Sequence, residues 1–334
     1  MIHEIPLVHP ESLGEDKRDG TLTQKSVMVF SWIKNNYPLI NQAKNQRIPL
    51  FDRIKGLATF AHNLDIFFMH QVSLLHQIDD ETFGQPDSEF ITDTQLLTDL
   101  YYIFTPVLEE LNSIWTDEII PALRDTNVVI HTYDTLHPKQ KILLRNFFHN
   151  EIFPILTPMA FDKSHPFPVI SNIAVNLAIT INDYYAYHDH FVRIKVPSDM
   201  FPRLIHISDI EPIDTSEGLD EFIFLEEIII ANLDLLFPGV QIATAYPFRV
   251  TRDMQAQNER EKFHGLDMET DSRSPLGLPV RIEVSSEMDM MICGVICDKL
   301  TKYSRLFYRT TGPVGIADIE CLLRLDRLDV SKND

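Results

Sequence analysis

Between Leu50 and Leu75 apolar residues recur at spacings of three and four, at Leu50, Ile54, Leu57, Ala61, Leu64, Phe68, Val72 and Leu75. That period predicts a helix burying one continuous stripe. A shorter pattern before it, Val27, Phe30, Ile33, Tyr37 and Ile40, predicts a second helix that kinks or ends at Pro38, because proline removes a donor and clashes with the preceding turn. After an acidic stretch from Asp79 to Glu89, read as a loop from its Gly84 and Pro86, helical spacing returns at Leu96, Leu100, Phe104, Val107, Leu111, Ile114 and Leu123. A kink is expected at Pro106. Residues 24–125 therefore read as at least three packed helices, preceded by a polar leader over residues 1–23 that lacks apolar periodicity.

Beyond Asn127 the period changes. Val128 to Ile130 is a short β-branched run, and strict alternation follows in Ile173, Val175, Leu177, Ile179 and Ile181. It recurs in Val192, Ile194 and Val196, in Ile242, Thr244, Tyr246, Phe248 and Val250, and in Val280, Ile282 and Val284. Helices are expected at Pro138 to Phe148, Glu287 to Leu300 and Gly312 to Leu328. The fold class that results is multidomain, a helical amino-terminal domain over 24–125 followed by a mixed α+β domain over 126–330. A length of 334 residues suits two cores.

Charge narrows the partners. Lys and Arg number 29 against 49 Asp and Glu, a formal charge of -20 spread over both halves of the chain. Such a field repels polyanions, which argues against nonspecific nucleic-acid binding, and any phosphate-rich ligand must meet a local cluster. No run of eighteen apolar residues predicts a membrane span, and the opening Met1 to Pro10 has no signal-peptide pattern, so the expected location is cytoplasmic. Cys293, Cys297 and Cys321 are too few for a disulfide framework and read as small buried hydrophobes, with no metal site expected.

Phosphate-loop, dinucleotide-fingerprint, metalloprotease and nucleophile-elbow motifs are all missing from the sequence, and no catalytic residue is assigned. His62, His70 and His76 on or beside the long helix read as exposed or hydrogen-bonded side chains. His188 and His190 flank Asp189 with no identifiable third metal ligand. Three segments combine polar groups with rigid neighbours. In Phe60 to Phe68, Asn63 and Asp65 cost helix propensity, and serve either a ligand or a helix–helix hydrogen bond. Four prolines, Pro154, Pro158, Pro166 and Pro168, fix an irregular crossover. At the end of one predicted strand Arg249 and Arg252 either fork onto phosphate or carboxylate groups or form internal salt bridges.

Taken in order, these segments resemble the polyphosphate kinase family of the long, multidomain type. Asn63-Leu64-Asp65 with Phe67-Phe68 is similar to its Ser-Asn-Leu-Asp-Glu-Phe-Phe element, and Leu156-Thr157-Pro158, Asp162 and His165-Pro166-Phe167-Pro168 to the entry of its middle domain. Phe237-Pro238-Gly239, Phe248 to Asp253, Pro279 to Val284 and Gly312 to Asp318 continue the resemblance. It implies a helical domain, a middle domain used in dimer contacts, and ATP, with Mg2+, as the possible ligand, Asn63 standing where the family contacts the nucleotide. It also implies that the phosphorylated histidine and its partners belong to two carboxy-terminal domains outside these 334 residues. The chain alone is then expected to be inactive, a binding or regulatory module that pairs with itself, with a full-length relative or with a separate catalytic half, and polyphosphate is a possible ligand. Near Asn63 the pattern departs from the family, with Ile66 in place of a glutamate, Gln71 in place of an arginine, and Pro38 in place of the arginine that ends the Ser31-Trp32-Ile33-Lys34-Asn35-Asn36-Tyr37 element.

Overall fold

The computed structural model describes residues 24–72, 94–161, 167–182, 190–210, 218–254, 277–301 and 304–325. The leader, the 79–89 loop, Leu75, His76 and His188 lie outside them, as does the side chain of His190.

Four helices come first: α1 (Gln24–Lys44), α2 (Leu50–Ile66), α3 (Thr94–Ser113) and α4 (Ile120–Asp125). On α1 Ile33, Tyr37 and Ile40 are buried as the spacing implied and Phe30 is half-buried, but Val29 joins this face and Val27 is exposed. The helix does not end at Pro38 but runs through it, as α3 runs through Pro106. Each proline forfeits one helical hydrogen bond, and the loss is outweighed by the apolar face that the whole helix buries. A close crossing sets α1 on α2. An ideal Cβ at Gly56 would stand 2.9 Å from the Leu39 carbonyl oxygen, so only glycine fits without displacing backbone. Polar ties reinforce the bundle, with the Tyr37 hydroxyl donating to Glu110 at 2.9 Å and Arg53 paired with Glu118 at 2.6 Å.

Both α2 and α3 continue into π-helical turns, Phe67–Gln71 and Ile114–Ile119. The wider turn changes the register of the buried face, and the adjacent Phe67 and Phe68 are both fully buried. Their rings join Trp32 and Phe104 in an aromatic cluster with centroid separations of 5.0 to 5.7 Å.

The remainder is a mixed α/β region. Its strands are β1 (Val128–His131), β2 (Met159–Phe161), β3 (Val175–Asn182), β4 (His190–Lys195), β5 (Leu204–His206), β6 (Asp220–Phe224), β7 (Gln241–Arg252), β8 (Pro279–Ser285) and β9 (Phe307–Thr310). Between them lie α5 (Pro138–Phe147), α6 (Ile207–Ile210), α7 (Leu225–Ala231), α8 (Leu233–Leu236) and α9 (Met290–Leu300). The larger sheet has the order β2-β4-β3-β7-β8-β9, antiparallel except where β9 joins β8 in parallel, and the smaller has the order β1-β6-β5. Inward positions alternate as the sequence implied, with Val175, Leu177 and Ile179 of β3 and Val192 and Ile194 of β4 in one apolar cluster. Ile173 is not part of that strand. Its φ of 49° is left-handed, a costly conformation for a β-branched residue, and the side chain is 42% exposed.

The last predicted helix, over Gly312 to Leu328, is a 3-10 helix in its described part, Ile316–Arg324. Gly315 at φ 64° delays its start, and Ile316, Ile319 and Leu322, spaced by three, are all buried, which is the period of a three-residue turn. Among the described residues no helix is long and apolar enough to cross a membrane.

Candidate functional site

The end of α2 points its side chains two ways. Leu64 and Phe68 are buried in the core, and beside them Asp65 is buried as well, whereas His62 is exposed, Asn63 half-buried and Ile66 38% exposed. Strands β7 and β8 meet the buried side. Period-two alternation and the pairing of Arg249 with Glu283 and Thr251 with Arg281 put these four residues on one face of the sheet, with Phe248, Val250, Ile282 and Val284 on the other.

Asp65, Arg249, Arg281 and Glu283 form a buried four-charge cluster that joins helix to sheet. Arg249 Nη1 donates to Asp65 Oδ1 at 3.0 Å and to Glu283 Oε2 at 2.6 Å, and its Nη2 donates to Asp65 Oδ2, a two-pronged clasp. Arg281 Nη2 donates to the same Asp65 Oδ1 and to Glu283 Oε2 at 2.9 Å. Arg281 also lies over the Phe68 ring, 5.0 Å from its centroid, and its Nε is buried with no hydrogen-bond partner. Two formal positive and two negative charges balance, which is what allows the group to stay ionised away from water.

Burial raises the Asp65 carboxyl, but the Arg249 and Arg281 guanidiniums lower it further, so it rests below the usual carboxylate range. Glu283 follows the same logic, burial opposed by Arg281 and then Arg249, and ends lowered. Arg249, lowered by burial and raised more strongly by Asp65 and Glu283, ends above its ordinary value.

The segment Gly312 to Asp318 is clamped between the sheets. The Gly315 N–H donates to Glu283 Oε1 at 3.3 Å, and an ideal Cβ on Gly315 would stand 3.0 Å from Arg249 Cδ and Nε. From the other side Arg203 Nη1 donates to the Val314 and Gly315 carbonyls and to Asp318 at 2.8 Å, while its Nε donates to Glu226. Asn112 of α3 accepts from Thr310 Oγ1 and from the Gly312 N–H.

Of the two alternatives open for the arginines, ligand fork or internal pair, the hydrogen bonds of both run to protein groups. For Arg249 they go to Asp65, Glu283 and the Ile173 carbonyl. Arg252 is buried, donates to the Ile170 and Gly277 carbonyls at 3.0 and 2.7 Å, and is lowered by burial to about 10. Asn63 stands apart from this cluster. Its Nδ2 donates to Asn36 Oδ1 at 2.8 Å, and Asn36 in turn donates to the Trp32 carbonyl, so a helix–helix hydrogen bond is present. Asn63 Oδ1 accepts from no protein donor among the described residues. Arg203, Arg281 and Glu283 as binding partners were missed from sequence. The available signal was a charged residue at alternate positions inside an apolar strand, Val280-Arg281-Ile282-Glu283-Val284.

The three cysteines are free thiols, Cys293 buried and Cys297 and Cys321 half-buried. Among the described residues no group of three or more His, Cys, Asp or Glu is placed to hold a metal ion.

A helical region locked by buried charges onto a mixed sheet defines the class, and the comparisons name it. Residues 29–131 match the model of the polyphosphate kinase N-terminal domain, and residues 139–322 that of the polyphosphate kinase middle domain. The chain belongs to the polyphosphate kinase family. It is similar to a polyphosphate kinase of Parasynechococcus marenigrum, 33% identical over 306 residues, 89% of this chain and 42% of that protein. It is also similar to polyphosphate kinase 1 of Chlorobaculum tepidum, 32% identical over 305 residues, 89% of this chain and 43% of that protein. The crystal structure of polyphosphate kinase from Porphyromonas gingivalis superposes with a TM-score of 0.71 at 26% identity, covering 88% of this chain and 40% of that one. The chain thus spans about two fifths of the length of the curated relatives it matches.

Proposed function

We propose that this chain is a nucleotide-binding and assembly module related to ATP-dependent polyphosphate synthesis, and that its 334 residues by themselves do not transfer phosphoryl groups. The observation carrying the nucleotide reading is the half-buried Asn63 amide. Asn36 takes one of its donors and its carbonyl oxygen is left without a protein donor among the described residues. Such an oxygen fits the exocyclic amino group of adenine. The same surface stripe carries His62, Ile66 and His70, none of them a fixed cation, so the contact fits the base and the triphosphate with its Mg2+ must be met elsewhere. Positioning a nucleotide without a nucleophile and charge-neutralising groups does not give turnover. By the resemblance those groups belong to the family's carboxy-terminal domains.

A second reading is that a separate catalytic polypeptide completes the enzyme. Exposed apolar residues next to the Asp65–Arg249 pair favour it. Ile66 follows Asp65 directly, and the carbonyl of the exposed Ile173 accepts from Arg249 Nε at 3.0 Å. Apolar surface in that position suits a partner domain better than water. A dimer through the middle domain, in the manner the family resemblance implies, is compatible with either reading.

The test is calorimetric titration of the purified chain with ATP and magnesium, beside Asn63→Ala. Saturable heat that weakens at least tenfold in the variant is expected, with no polyphosphate formed by either protein. The absence of heat from the parent chain, or equal affinity in both, removes Asn63 as a nucleotide contact. Turnover by the purified chain alone overturns the module reading.

A further inference from the structure

A second cleft lies at the edge of the larger sheet, where β9 runs between α3 and α9. It measures about 490 Å³ and is lined by Tyr101 and Thr105 of α3, by Cys293 and Gly294 of α9, and by Arg305 and Tyr308. This volume falls in the range that holds a small organic ligand. It is remote in sequence from Asn63, and none of the four charged residues Asp65, Arg249, Arg281 and Glu283 lines it, although Leu108 borders both places.

Two features distinguish it from an accidental gap. The first is Arg305. Its guanidinium lies 5.4 Å from the Tyr101 ring centroid and 5.1 Å from that of Tyr102, and no hydrogen bond or ion pair from it to a described residue is present. The cation–π contacts favour this placement of the side chain while leaving its N–H donors available. A second arginine, Arg309, braces the wall by donating to the Ser286 and Met288 carbonyls and to Met290 Sδ. Among the described residues of the lining, Arg305 and Arg309 face a single carboxylate, that of Glu109, so a chain with a formal charge of -20 gathers a local excess of positive charge here. The second feature is apolar exposure in the lining, where Met290 is 73% exposed. A guanidinium beside two aromatic rings and an apolar wall suits a ligand with a planar apolar body and one anionic group.

We propose that this cleft is a binding site for a small aromatic anion, with Arg305 taking the phosphate or carboxylate and Tyr101, Met290 and the α9 wall taking the ring. The site is independent of the nucleotide contact assigned to Asn63.

The experiment uses the 334-residue chain and 1-anilinonaphthalene-8-sulfonate, a fluorescent aromatic anion, as the probe. Saturable binding is expected, weakened at least tenfold by Arg305→Ala and by raising the salt. Gly294→Leu is the second variant. Gly294 has nothing within 4 Å of its Cβ position, so a leucine there enters open space and favours the helix while blocking the cleft. It too should abolish binding, and far-ultraviolet circular dichroism should match the parent. Displacement by adenosine monophosphate assigns the anion as a phosphate, and displacement by benzoate as a carboxylate. Bound ligand should also slow maleimide modification of Cys297, which lines the cleft. Equal binding by the parent and both cleft variants overturns the proposal, as does loss of binding in Asn63→Ala with retention in Arg305→Ala.

Discussion

Asn63 and Asp65 stand two residues apart on one turn of α2, and their surroundings are opposite. Asp65 is buried, and each of its oxygens accepts from a guanidinium of the sheet, whereas Asn63 is half-buried with one partner on the neighbouring helix and an acceptor to spare. The same short element therefore does two jobs. One residue fixes the angle and depth at which the helical region sits on β7 and β8, and the other is presented by that fixed helix to whatever approaches from solvent. The difference teaches that the polar residues costing α2 helix propensity need not share a role, and that a buried ion-pair cluster can determine where a half-buried polar side chain of the same helix stands.

The most severe way to break the comparison is to remove Asp65. Asp65→Ala leaves Arg249 and Arg281 facing Glu283 alone, and an uncompensated buried charge costs about 3–5 kcal/mol. Urea unfolding should show that loss as a lower midpoint. Acid titration sharpens the same point. Asp65 and Glu283 rest below their ordinary values of 3.8 and 4.5 in the folded chain, so the unfolded chain takes up protons first as pH falls. Their contribution is complete at neutral pH and is lost as pH falls through those unfolded values toward the folded ones. In Asp65→Asn the Asp65 share of that acid dependence should vanish; an unchanged acid transition would show that the cluster does not carry it.

Next in size is Gly315→Ala. The residue is at φ 64°, where an L side chain costs about 1–2 kcal/mol. Its methyl group would in addition meet Arg249 at 3.0 Å. The urea midpoint should drop, and Asn63 should keep its ligand affinity if the clamp acts on stability alone. Asn63→Ala is milder still. It deletes one hydrogen bond to Asn36, about 1 kcal/mol, and leaves the Asp65 cluster intact. A loss of several kcal/mol from Asn63→Ala would place it with Asp65 as a structural residue and erase the contrast.

How much of this was legible depends on what the chain repeats. The stripe from Leu50 to Phe68 and the alternations of β3, β4, β7 and β8 were readable because each repeats its period several times. β2, β5, β6 and β9 were not, since three to five residues carry too few periods to stand out. Passage of the helix through Pro38 was hidden because tertiary burial of Val29, Ile33, Tyr37 and Ile40 overrides a local penalty. The segment Gly312 to Leu328 was legible as helical, and the spacing by three of Ile316, Ile319 and Leu322 is what marks its 3-10 form. Asp65 and Arg249 lie 184 positions apart, and nothing in local spacing links them. What one sequence offers is charge where the period demands an apolar residue, as at Arg281 and Glu283, and that signal says a partner exists without saying which.

The smallest effect tests whether burial, rather than ion pairing itself, sets the scale. Arg145 and Asp234 form a pair as well made as any in the cluster, with Nη2 to Oδ2 at 2.6 Å, yet both side chains are largely in water. Water already solvates both groups, and holding two long side chains in one geometry costs entropy, so such pairs contribute about 0.2–1 kcal/mol. Asp234→Asn should therefore shift the urea midpoint only slightly, and the shift should shrink further in high salt because the screening length falls to a few ångströms. The Asp65 variants, measured in the same salt, should keep their full effect. A salt response shared by both sites would mean that the four-charge cluster is wetter than its burial indicates, and that α2 is held to the sheet by apolar packing around Phe67 and Phe68 instead.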